Sequence, residues 1–98
     1  MSGTIRTSEE LDARRRRIVY RSWHRGFREM DLIMGRFCDA EIVSLAEDEL
    51  DAFEKLIDAP DHELYDWIVG AEPVPAEYDL PLLQKLRDFH SSMKPMFA

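Results

Sequence analysis

A chain of 98 residues, 45% of them hydrophobic, can close a single core but not a core and a deep substrate cavity as well, which favours a binding module over an enzyme. Five prolines and four glycines, lying mostly between periodic stretches, combine with that hydrophobic fraction to place the chain among soluble globular proteins rather than disordered tails. The net charge of −7 hides a division: residues 1–28 hold eight arginines against three acids, +5, and residues 29–98 hold five basic residues against seventeen acids, −12.

Thr7-Ser8-Glu9-Glu10 reads as a capping box and predicts a helix to about Trp23, with Leu11, Ile18 and Val19 facing inward. A second helix is expected from about Gly26, where Phe27, Met30, Ile33, Met34, Phe37 and Cys38 recur at three- and four-residue steps, the strongest core stripe in the chain. Ser44 with Glu47 forms another capping box, before a third helix to about Ile57 that carries Leu50, Phe53, Leu56 and Ile57 inward. Asp61 is the expected cap of a short fourth helix with Leu64, Tyr65, Trp67 and Ile68, stopped at Gly70. Glu72-Pro73-Val74-Pro75 should run extended, because two prolines deny it a helix. Asp79 and Pro81 then read as cap and first-turn proline of a last helix bearing Leu82, Leu83, Leu86 and Phe89. With no sustained period-two alternation, the expectation is an all-α fold, a small five-helix bundle formed as one domain over 1–98, with residues 1–7 and 91–98 as flexible ends.

No apolar run approaches the roughly 18 residues of a membrane span, and the first ten residues show neither a secretory nor a transit pattern. Together these predict no direct membrane insertion and a bacterial cytoplasmic location. Cys38 is the single cysteine, so no intrachain disulfide can form, and its place in an apolar stripe predicts a buried, inert thiol. His24, His62 and His90 are scattered, and no phosphate loop, nucleophile elbow or dinucleotide fingerprint is present. The expectation is no catalytic residue, no metal site and no stably bound cofactor. Arg14, Arg17, Arg21, Arg25 and Arg28 do share one helical face, as a nucleic-acid-binding module would require. The overall negative charge opposes a polyanion, however, and the seventeen later acids offer these arginines partners within the chain, so no nucleic-acid partner is expected.

The most informative segment is Trp23-His24-Arg25-Gly26-Phe27-Arg28-Glu29-Met30-Asp31, a glycine set among charges just before the strongest apolar stripe. A glycine within a helix costs about 1 kcal/mol relative to alanine, so it marks a break or a place where another surface comes close to the backbone. Arg25 and Glu29 are spaced as an intrahelical ion pair in the weaker orientation, cation first. The functional alternative joins more residues. Gly26 would admit a partner backbone, Arg25 and Arg28 would offer planar donors, Glu29 would accept hydrogen bonds, and Tyr20 and Trp23 would supply aromatic anchors.

Arg25-Gly26-x-x-Glu29, followed by Met30-Asp31, resembles the motif of the SdhE family, succinate dehydrogenase assembly factors that promote covalent attachment of FAD to a flavoprotein subunit. The likeness runs from about Arg15 to Phe89 and includes Phe37, the acidic run Ser44-Leu45-Ala46-Glu47-Asp48-Glu49 and the segment from Asp61 to Trp67. One departure is His24, where close bacterial relatives often carry another basic residue; a partner contact through it would become pH-sensitive. The resemblance implies a non-enzymatic, monomeric chaperone that binds the flavoprotein subunit of succinate dehydrogenase, and also of fumarate reductase, and favours by differential affinity a state competent for flavinylation. It places Arg25, Gly26, Arg28, Glu29 and Asp31 at the centre of the contact, with Tyr20, Trp23 and His24 beside them. The competing readings are a nucleic-acid module and a small flavin-binding protein, the latter disfavoured by the absence of an evident dinucleotide pocket.

Overall fold

A computed structural model describes residues 11–92. Among them are five α-helices and no strand: α1 Ala13–Trp23, α2 Arg28–Glu41, α3 Glu47–Asp58, α4 Asp61–Val69 and α5 Pro81–Ser92, with one 3-10 turn at Ala76–Tyr78 before α5. The expected all-α five-helix bundle is the observed one. None of these helices is long and apolar enough to cross a membrane.

The helix ends show how local chemistry sets the boundaries. The Thr7 capping box lies outside the described residues; α1 is capped by Asp12, whose carboxylate accepts from the Arg15 N–H at 2.8 Å. Ser44 does not cap α3. Its hydroxyl and its N–H both donate to the Glu41 carbonyl at 3.0 Å, closing the end of α2. The α3 cap is Ala46, and Glu49 reaches back to the Ala46 N–H at 2.9 Å. This is half of a capping box, because alanine has no side-chain oxygen to return the bond. Leu45 must turn into the core, and that displaces the helix start by two residues. Asp61 is likewise the first residue of α4, with Pro60 in the cap position. Gly70 ends α4 with φ +84°, a left-handed conformation that costs glycine nothing. Pro81 opens α5 as expected, but Leu80 rather than Asp79 precedes it, its carbonyl accepting from the Leu83 N–H at 2.9 Å.

The core is one continuous cluster built around α2, whose Met30, Ile33, Met34, Phe37 and Cys38 are all buried. Phe37 meets Phe53 of α3 and Phe89 of α5 at ring-centre distances of 5.8 and 5.6 Å, tying three helices together. Arginines of α1 bind acids of α3: Arg14 reaches Glu47, Asp51 and Glu54, and Arg21 reaches Asp58 at 2.6 Å. Residue numbers rise together on both sides, so α1 and α3 run in the same direction. The hydrogen bond from Arg14 holds the Glu54 carboxyl below the ordinary glutamate range, and Lys85 of α5 does the same to Glu49.

Trp23, at the end of α1, is inside the protein at 8% exposure, with its indole N–H donating to Asp39 at 3.3 Å. Its ring lies flat against Gly35 of α2, where an added Cβ would meet indole atoms at 2.6 Å and closer.

Two outcomes are expected. Gly35→Ala gains about 1 kcal/mol of helix propensity but overpacks a rigid ring at a cost of about 1–3 kcal/mol, so its denaturant midpoint should fall; an unchanged or higher midpoint contradicts this packing. Carboxylates with lowered pKa stabilise the fold above their unfolded values and lose that contribution as pH falls through the folded ones. Stability should therefore decline below about pH 5, and less steeply in Arg14→Ala, in denaturant titrations across pH.

Candidate partner-binding surface

The segment between α1 and α2 is neither a continuous helix nor a simple kink. α1 ends at Trp23 and α2 begins at Arg28, so Arg25 and Gly26 lie in the connection and Glu29 in the first turn of α2. The intrahelical pair between Arg25 and Glu29 does not form. Instead the Arg25 guanidinium turns to Asp61, the first residue of α4, with Nε at 2.8 Å and Nη2 at 2.5 Å from Oδ1. The other carboxylate oxygen accepts the Gly26 N–H at 2.6 Å. The Arg25 side chain is 7% exposed and that of Asp61 22%, so this pair is sheltered from solvent screening more than the Arg14 or Arg21 pairs.

This geometry gives Gly26 a second reason to be glycine. A Cβ at that position would collide with the Asp61 carboxylate, so the group approaching the backbone is the chain's own acid. Asp31 completes the connection from the other side, reaching back from the first turn of α2 to accept the Arg25 N–H at 2.5 Å. Next along, Phe27 stacks on His62 at 4.7 Å and meets the edge of Tyr65 at 5.4 Å, both on α4. The first turns of α4 thus hold the connection by one carboxylate and two rings. Nothing local in the sequence pointed to this, since Asp61 is 35 residues from Gly26.

The expected site residues divide into two groups. Trp23, Arg25 and Asp31 are turned inward or bonded within the chain. Tyr20, His24, Gly26, Arg28 and Glu29 are exposed, and among the described residues Tyr20 is the most exposed large hydrophobic one at 63%. Tyr20 and His24 stack at 3.9 Å, and His24 Nδ1 lies 2.7 Å from the Tyr20 carbonyl, which fixes the ring on the end of α1. Arg28 and Glu29 make no side-chain hydrogen bond or ion pair among the described residues and are open to an external group. Of the basic stripe, Arg14, Arg21 and Arg25 are engaged by later acids, which leaves little of the continuous cationic face that a polyanion would need. Cys38 is buried, and among the described residues no group of three His, Cys, Asp or Glu side chains is placed to hold a metal.

Residues 16–90 match the family described as flavinator of succinate dehydrogenase. Over 78 residues the chain is 38% identical to the FAD assembly factor SdhE of Acetobacter pasteurianus, covering 80% of this chain and 72% of the relative. It is 36% identical over 84 residues to the mitochondrial succinate dehydrogenase assembly factor 2 of Debaryomyces hansenii, and 32% identical over 87 residues to that of Dictyostelium discoideum. Those alignments cover 83% and 89% of this chain but 59% and 61% of the relatives, so the chain spans about three fifths of the mitochondrial proteins. On the extent of these matches, the chain belongs to the family of succinate dehydrogenase flavinators.

Proposed function

We propose that this protein binds the flavoprotein subunit of succinate dehydrogenase and promotes its covalent flavinylation with FAD. What carries the reading is the pairing of family membership with an exposed Arg28 and Glu29, which have no side-chain partner among the described residues, at the mouth of a rigidly held turn. An exposed charged pair on an ordered backbone suits recognition, because little backbone entropy is lost when it docks. Tyr20 and His24, stacked and exposed at the end of α1, add an aromatic surface, and Gly26 is exposed in the turn between the helices. Trp23, Arg25 and Asp31 serve the same contact from beneath by fixing its shape.

In this reading the protein is no enzyme and holds no cofactor of its own. The bond to FAD is made within the flavoprotein, and this domain binds more tightly to the state in which FAD and its acceptor residue are correctly placed, shifting the population toward that state. It acts as a monomer in the bacterial cytoplasm, and a fumarate reductase flavoprotein is a second substrate of the same kind.

Gly26→Arg would block this surface, but it would also drive a side chain into Asp61, so loss of function in that variant would not separate contact from local misfolding. Glu29→Ala does separate them. Its circular dichroism and melting should match wild type, while affinity for the purified flavoprotein subunit, measured by calorimetry, should fall about tenfold or more for a lost charged hydrogen bond. Unchanged affinity would remove Glu29 from the interface.

A further inference from the structure

We infer that Asp61, on α4 and remote in sequence from the motif, is the positioning residue of the partner-binding turn, holding Arg25 and Gly26 so that Arg28 and Glu29 are presented in one fixed arrangement. The inference rests on the function proposed above. Asp31 holds the turn at the Arg25 N–H and the rings of α4 hold it at Phe27, but Gly26 between them is exposed, has no side chain to anchor it, and α2 starts without a side-chain cap. Glycine is also the residue with most backbone freedom to lose. Against that freedom stands one carboxylate that uses both oxygens, Oδ1 for the Arg25 guanidinium and Oδ2 for the Gly26 N–H. The two bonds fix adjacent residues through a side chain and a backbone group together, so neither residue can rotate without breaking one.

Direction follows from the order of the elements. Arg28 and Glu29 are the second and third residues after Gly26 and the first two of α2, so the path of the turn decides how they emerge from the bundle. The Phe27 ring, held by His62 and Tyr65 of α4, shows that the same helix grips the turn at the next residue as well. Asp61 touches no partner in this scheme and acts through the turn alone.

The test compares Asp61→Ala, Asp61→Asn, Glu63→Ala and Glu29→Ala for binding to the purified flavoprotein subunit, alongside amide hydrogen exchange at Gly26. Glu63 is the control for charge at the start of α4: it is an exposed first-turn acid that does not bond the turn. Asp61→Ala should exchange the Gly26 amide about tenfold faster or more and weaken binding about tenfold, with helicity retained. Asp61→Asn keeps an oxygen for the Gly26 N–H but loses the charge that binds Arg25, so it should fall between Asp61→Ala and wild type, and Glu63→Ala should behave as wild type. If Asp61→Ala does not fold, the same comparison stands on Asp61→Asn. A faster Gly26 amide with wild-type affinity overturns the positioning role, as does a Glu63→Ala loss equal to that of Asp61→Ala. If Glu29→Ala binds normally, the surface reading falls and this inference with it; if Glu29→Ala is weak and the Asp61 variants are not, only the role of Asp61 falls.

Discussion

The first helix has too little apolar surface to fix its own place. Of the eleven residues in α1, only Ile18 and Trp23 are buried large apolar side chains, and four of the others are consecutive arginines. Burial of Ile18 and Trp23 sets how deep the helix sits, while its direction is matched by arginines of α1 meeting acids of α3, and by Arg25 just beyond it meeting Asp61 of α4, in rising order. Exposed ion pairs of this sort contribute only about 0–1 kcal/mol each, so they choose among packings more than they stabilise one. The charge division of the sequence is therefore partly an internal matter, with the basic N-terminal part answering the acids of the rest.

The last pair in that series, Arg25 with Asp61, differs from the others in being sheltered and in including a backbone amide. Through it the placement of α1 is carried into the shape of the turn, and the turn in turn leads directly into the central helix of the core. The motif accordingly has two sides. Arg25 and Asp31 face the protein and Glu29 faces away, so residues that look equivalent in the sequence have different physical duties. Gly26 belongs to both sides, since its missing side chain makes room for Asp61 beneath and leaves backbone exposed above.

Much of the fold was legible because it rests on periodicity. The α2 stripe from Met30 to Cys38 is buried as its spacing requires, and Gly70 and Pro81 mark their helix ends by backbone chemistry that acts within a few residues. Ser44 misled because two acids follow it at workable distances, and burial of Leu45 selects the frame in which Glu49 rather than Glu47 reaches back. Trp23 sits among charges in the sequence yet is internal, and the signal for its burial is Gly35, a glycine within the α2 stripe that leaves space for a large ring. The clamp on Arg25 and Gly26 was not legible at all, because its acid lies on another helix and pairs at such separation leave no local spacing to read.

In the proposed function, the exposed side of this turn promotes covalent attachment of FAD to a succinate dehydrogenase flavoprotein. The most direct measurement is in-gel flavin fluorescence of the denatured flavoprotein from cells lacking this gene, supplied with either wild type or Glu29→Ala at equal abundance. Restoration by wild type and a clear deficit with Glu29→Ala is the predicted result. Full covalent flavin in cells without the gene, or equal restoration by both proteins, would contradict it.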